Sequence, residues 1–163
     1  MIVAYTDGGA RGNPGPAGYG VRIESESGEL LAELGEPLGV VTNNVAEYHG
    51  LLAALTWATT HGHPALTVRS DSELLVRQMR GEYKVRHPNL KPLYATAVAL
   101  AARLDHVRFE HVPREANREA DRLANLAMDE ANQEAGSRSQ EKGTGPFSEL
   151  TPTKKGLSPF PDS

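Results

Sequence analysis

Four acidic residues stand where the sequence around them changes character. Asp7 follows an apolar run and precedes two glycines, Glu47 lies early in a helical pattern, Asp71 follows a second apolar run, and Asp121 falls in a late helical pattern. Taken singly, each has an ordinary explanation. Asp7 fits a turn before Gly8 and Gly9, and Glu47 stands three after Asn44, the spacing of a capping box. Asp71 fits a cap for a helix beginning at Ser72, and Asp121 a solvated helical charge. Taken together they fit different chemistry. If the strands ending at Asp7 and Asp71 lie parallel and adjacent, both carboxylates emerge at the carboxyl end of one sheet, where ligand sites in such sheets lie. Carboxylates that close repel one another, and one pKa rises unless a cation compensates. The chain has no cysteine, which excludes disulfides, thiol nucleophiles and thiolate zinc sites and leaves oxygen or imidazole to hold a metal. An all-oxygen donor set favours Mg²⁺ or Mn²⁺, and several carboxylates with open water positions suit two such ions roughly 4 Å apart, an arrangement for phosphoryl transfer. His49, His61, His63 and His87 show no metal-ligand spacing and read as surface or loop residues.

The elements that must position these acids are legible from periodicity and turn residues. Short β-branched or alternating runs predict strands at Ile2 to Thr6, Tyr19 to Glu24, Glu29 to Leu34, Ala65 to Arg69 and Val107 to Val112. The first three, joined by short links, predict an antiparallel meander. Helical spacing of Val45, Tyr48, Leu51, Leu52, Leu55 and Trp57 predicts a helix over Asn44 to Thr60. Further helices are predicted over Ser72 to Arg80, ended by Gly81, over Leu90 to Leu104 with Pro92 in its first turn, and over Asn117 to Met128. Strands followed by strand–helix alternation imply an α/β fold, a five-stranded mixed sheet flanked by helices.

The chain has 163 residues, near one domain plus an appendage, with 39% hydrophobic and 23% charged residues, which permits a buried core. From Glu130 onward 16 of 34 residues are Gly, Pro, Ser or Thr and the apolar residues follow no period. The expected organisation is a domain at 1–129 and a disordered tail at 130–163, helical for at most a turn beyond Met128. No apolar run approaches the ~18 residues that cross a bilayer, and the start has no signal-peptide pattern, so a cytoplasmic chain without a membrane partner is expected. The formal charge of −4 argues against nucleic-acid binding by bulk charge. Residues 77–91 are locally basic, with Arg77, Arg80, Lys84, Arg86 and Lys91 against Glu82, and could dock an anion.

The segments YTDGGARGNPGPAGYG (5–20), TNNVAEYHGLLAAL (42–55), VRSDSELLVRQM (68–79) and HVPREANREADRLANLAM (111–128) resemble the four successive motifs of type 1 ribonuclease H. They occur in the family's order and in the expected strand or helix context, and the resemblance covers residues 1 to about 129. It implies a ribonuclease H-like fold and an endonuclease that hydrolyses the RNA strand of RNA/DNA hybrids, acting as a monomer. It also implies two metal ions, Mg²⁺ or alternatively Mn²⁺, held by Asp7, Glu47, Asp71 and Asp121. Asp7 would bridge both ions, Asp71 and Glu47 would hold the one nearer the leaving group, and Asp121 the one nearer the nucleophile. Products would carry 5′-phosphate and 3′-hydroxyl ends. Choosing RNA requires reading a 2′-hydroxyl in the minor groove. A turn over Gly8, Gly9, Ala10, Arg11 and Gly12 would bring backbone close to a sugar, and Asn13, Asn43 and Asn44 would contact the groove, with helix capping a compatible role for the last two. Competing readings are a related nuclease acting on double-stranded RNA or junction DNA, and a non-catalytic hybrid-binding module.

Three departures from the family pattern stand out. Many relatives carry a basic, Trp-rich protruding helix, whereas here only Gly81 to Pro92 occupies its place, making this a compact form with weaker expected hybrid affinity. Relatives often have a mobile histidine before the last helix that helps proton transfer or product release. His111 has suitable spacing but falls in a predicted strand, which makes Arg114 the better candidate for that role. Finally, Glu73 stands where many relatives have a glutamine that contacts RNA bases, and a carboxylate cannot donate as an amide does.

Overall fold

The computed structural model describes residues 1–140, with side chains through Ala135. Five strands, β1 (Ile2–Ala10), β2 (Gly15–Glu24), β3 (Leu30–Val41), β4 (Ala65–Ser70) and β5 (His106–His111), form one sheet in the order β3-β2-β1-β4-β5. The β1–β2 and β2–β3 pairs are antiparallel, and β1–β4 and β4–β5 are parallel, the mixed sheet expected from the sequence. The helices are α1 (Asn43–Thr60), α2 (Glu73–Met79), α3 (Lys91–Ala101) and α4 (Arg118–Gln140).

Alternation along the strands assigns the helices to faces. Tyr19, Val21 and Ile23 of β2, with Ile2 and Ala4 of β1 and Leu66 and Val68 of β4, form the core together with Tyr48, Leu51, Leu52 and Leu55 of α1. The intervening Gly18 and Gly20 face α4. A Cβ at Gly20 would lie 2.5 Å from the Ala120 carbonyl oxygen and the Ala124 nitrogen. Small residues on both sides, with Ala120, Ala124 and Ala127 buried on the helix, let α4 approach β2 closely.

Several boundaries differ from the sequence-based expectation, each for an identifiable reason. β1 and β2 are longer than expected because Gly8, Gly9 and Ala10 pair with Tyr19, Gly18 and Ala17. The ladder prevails over the turn tendency of Asp-Gly-Gly, and the turn proper is confined to Arg11–Pro14, where Gly12 takes φ +99 and the Asn13–Pro14 peptide is cis. β3 continues past Leu34 to Val41 although it contains Pro37 and two glycines. It is an edge strand, and the register shift opposite Ala17 and Gly18 accommodates Pro37. α1 is capped by Thr42, whose Oγ1 accepts from Val45 N–H at 3.3 Å, so the Asn44–Glu47 capping box does not form. α2 is capped by Ser72 rather than Asp71, with Ser72 Oγ accepting from Leu75 N–H at 3.2 Å. α4 continues twelve residues beyond Met128. No glycine or proline interrupts Asp129 to Ala135, and Ala131 is still buried, so helix propensity carries on after the apolar period fades. The expectation for residues 141–163 lies outside the described residues.

Candidate active site

The parallel pairing of β1 with β4 ends at Thr6 opposite Ser70. The next residue on each side is an aspartate, so Asp7, still paired with Gly20 of β2, and Asp71, just past the end of β4, lie side by side. Glu47 enters from the second turn of α1, and Asp121 from the first turn of α4. Asn117, buried at the end of a single 3₁₀ turn (Arg114–Asn117), donates through Nδ2 to the Thr6 carbonyl at 2.9 Å, which ties the start of α4 to the strand that carries Asp7.

All four carboxylates line one cleft of about 370 Å³. A larger groove of about 580 Å³, between the end of β3, α1 and α3, is mostly apolar and has no carboxylate in its walls, so size does not locate the chemistry here. Burial pushes the Asp7 carboxyl up to about 8, and the charge of Asp71 and the proximity of Asp121 add to the rise. Glu47 is pushed up to about 7, chiefly by burial; a hydrogen bond with Ser72 works the other way, and the charge of Asp71 adds to the rise. Asp71 is raised by burial, with Arg114 opposing that shift most strongly and Asp121 adding to it. Arg114 Nη2 lies 4.0 Å from Asp121 Oδ1.

These acids want a cation. They are oxygen donors, three of them hold protons more tightly than free carboxylates do, and a divalent ion would relieve both the burial and the mutual repulsion. As the side chains stand, no three His, Asp or Glu among the described residues form a group that could hold a metal ion. The cleft therefore gathers the donors around a common space without yet closing them on a point.

The other expected site residues divide into those the fold brings to the cleft and those it does not. Gly8, Gly9, Ala10, Arg11, Asn43 and Arg114 line it. Gly8 and Gly9 do so as strand residues and not as a turn. Gly12, Asn13 and Asn44 are exposed neighbours outside its walls, and Asn13 Oδ1 accepts from Asn43 N–H at 3.0 Å. His111 is held at the end of β5, exposed and outside the lining. Glu73 is also outside, in an ion pair with Arg77 at 2.9 Å. The basic segment is less free than its composition indicates, because Arg77 also meets Glu82 at 3.2 Å and Arg80 lies 3.9 Å from the same carboxylate. Sequence reasoning missed Asn125 and Met128 in the wall. The signal for Asn125 was present, since it stands four after Asp121 and shares its helix face.

The model of the "Reverse transcriptase-like" family matches residues 5–127. The chain is 50% identical over 135 residues to the "Bifunctional protein Rv2228c" of Mycobacterium tuberculosis, which covers 82% of this chain but only 37% of that protein's length. The solved structure of the N-terminal RNase H domain of that protein superposes with a TM-score of 0.80, covering 82% of this chain and 97% of that one. "Ribonuclease HI" of Halobacterium salinarum is 42% identical over 80% of this chain and 65% of its own length. LC11-RNase H1, solved in complex with an RNA/DNA hybrid, is 47% identical with a TM-score of 0.76, covering 80% of this chain and 99% of that chain. The strand order, the four motifs and these likenesses agree: the chain is a compact member of the type 1 ribonuclease H family.

Proposed function

We propose that this chain is an endonuclease that hydrolyses the RNA strand of RNA/DNA hybrids. The observation that carries the reading is the convergence of Asp7, Glu47, Asp71 and Asp121 on one cleft, in a member of a metal-dependent nuclease family. These four carboxylates would hold two Mg²⁺ ions, with Mn²⁺ as a substitute. When bound, the ions supply positive charge at the attacking and departing oxygens of the scissile phosphate.

The chain's own residues do the rest. Beyond Thr6 the β4 side of β1 has no strand partner, so the backbone along Gly8 and Gly9 is open towards the cleft, while the Ala10 N–H is taken by Asn43 Oδ1 at 2.7 Å. Backbone groups there, with the Asn43 amide, offer the donor and acceptor that a 2′-hydroxyl needs. Water attacks phosphorus and the P–O3′ bond breaks, leaving a 5′-phosphate on one fragment and a 3′-hydroxyl on the other, with no covalent enzyme intermediate. Of the two roles ascribed to a mobile histidine, Arg114 fits only product release. A guanidinium offers donors only and no lone pair to accept a proton, but at 80% exposure it can meet a departing phosphate.

One assay tests the proposal. Labelled hybrid, double-stranded RNA and DNA duplex are incubated with Mg²⁺, Mn²⁺ or EDTA, alongside Asp7→Asn. Cleavage of the RNA strand of the hybrid only with a divalent ion, and its loss by at least about 10²-fold in Asp7→Asn, are expected. Metal-independent cleavage or an active Asp7→Asn variant would sink the proposal. Preferential cleavage of double-stranded RNA would reassign the substrate, and binding without cleavage would leave a hybrid-binding module.

A further inference from the structure

The tip of the β1–β2 hairpin is held from two sides by the helices that carry Glu47 and Asp121. On the α1 side Asn43 accepts from Ala10, as described above. On the α4 side, Nη2 of Arg11 lies 3.1 Å from Asn125 Oδ1 and 2.9 Å from Asp129 Oδ1. Asn125 is oriented in turn by its Nδ2, which donates to the Asp121 carbonyl at 2.9 Å. The guanidinium is thus anchored through a single nitrogen. Its Nε and Nη1 donors have no partner among the described residues; the two do not share an edge of the guanidinium, so each is left to make a hydrogen bond of its own.

Among the described residues, Arg11 and Arg114 are the only Lys or Arg side chains in the wall of a cleft that also holds four carboxylates. Without divalent ions, a polyanion entering there is repelled unless these cations meet it, and Arg11 is the one held by two partners. We infer that Arg11 takes a backbone phosphate of the cleaved strand, next to the scissile one, through its unpaired Nε or Nη1, with Asn125 and Asp129 as positioning residues. The inference rests on the hybrid-nuclease reading for the identity of the strand. A phosphate fits better than a sugar hydroxyl because the guanidinium is cationic and offers donors only, with no acceptor for a hydroxyl proton. The Arg11–Asp129 pair, with side chains 43% and 54% exposed, contributes little to stability, so its consequence is the aim of the guanidinium.

Binding of the full chain to an RNA/DNA hybrid is measured with EDTA over a range of salt, and cleavage kinetics are measured with Mg²⁺. Arg11→Gln is expected to reduce the slope of log affinity against log salt by about 1. It should raise KM about tenfold with kcat nearly unchanged. Arg11→Lys restores the slope but only part of KM, because an ammonium on a flexible stem is not aimed as the anchored guanidinium is. Asp129→Ala raises KM when Arg11 is present and not in the Arg11→Gln background, the non-additivity of a residue acting through another. A hybrid with a neutral methylphosphonate beside the scissile phosphate erases the difference between wild type and Arg11→Gln. An unchanged salt slope, a KM penalty that persists on the neutral linkage, or an Asp129→Ala effect independent of Arg11 overturns the inference. A chain that shows the slope change but cuts no hybrid overturns the nuclease reading and leaves Arg11 as a phosphate contact.

Discussion

Asp7 pairs two properties that a surface carboxylate lacks: it is largely out of water, and it has Asp71 and Asp121 beside it. The proton is held in the folded chain up to about pH 8 but is released near 3.8 from the unfolded chain. Between those values the folded state binds more protons, so stability falls as pH rises through that window. Glu47, raised to about 7, adds the same sign over a narrower range. Thermal melting in EDTA is therefore expected to give a higher midpoint at pH 5 than at pH 8. Mg²⁺ should flatten the difference by taking over the charge compensation that protons supply. Asp7→Asn removes the buried charge. It should raise the melting midpoint at pH 8 by at least about 5 °C, and much less at pH 5, while abolishing cleavage. A variant that melts lower than wild type at pH 8 would mean that the carboxylates do not oppose one another in the folded chain.

At the scale of elements, the site depends on how closely β1 and α1 approach. A Cβ added at Gly8 would lie 2.5 Å from the Ala46 carbonyl carbon and oxygen and 2.6 Å from the Glu47 nitrogen. All three are backbone atoms of the helix that delivers Glu47, so no side chain can turn aside to make room. Gly8→Ala is expected to destabilise the fold by about 1–3 kcal/mol. It should also lower kcat more than it raises KM, because the helix must shift with Glu47 on it. Denaturant unfolding together with kinetics checks both, and a kcat equal to wild type would separate the packing of Gly8 from the site. This contact also marks the limit of what was legible in the sequence. The strands and helices and their succession along the chain followed from periodicity, because apolar spacing directly reflects which side is buried. The adjacency of the strands ending at Asp7 and Asp71 was only a condition, and the four acids as a metal-binding set came from the family resemblance. Gly8 and Gly9 read as a turn, since in one dimension a glycine needed for close approach looks like a glycine needed for a bend. The cap at Thr42 was hidden for a related reason, because neighbouring polar residues compete for each cap, whereas Asn125 was legible from its i+4 spacing to Asp121 and was passed over.

For the molecule as a whole, the difficulty is to bind a polyanion with a chain of formal charge −4 whose cleft is acidic. Without a protruding basic helix, the cations from Arg77 in α2 to Lys91 at the start of α3 are the nearest substitute. They do not act equally. Arg77 and Arg80 are engaged by Glu73 and Glu82, and Arg80 Nε also donates to the Phe109 carbonyl at 2.9 Å. Lys84, Arg86 and Lys91 have no acidic partner among the described residues. The segment runs into the apolar groove at Pro88 and Asn89, and that groove continues past Thr42 to Pro14 at the hairpin tip. A duplex lying across the cleft can reach along this path. Neutralising Lys84, Arg86 and Lys91 together is expected to lower the salt slope of hybrid affinity by about 2–3 and to raise KM, with kcat unchanged because none of them touches the carboxylates. Neutralising Arg77 and Arg80 should lower the slope by less than 1, since their charges are already matched within the protein. Titration of hybrid against salt for the two variants distinguishes these outcomes. Equal slopes would mean that the segment's composition matters and its internal ion pairs do not, and a wild-type slope in both would place the path of the duplex elsewhere on the surface.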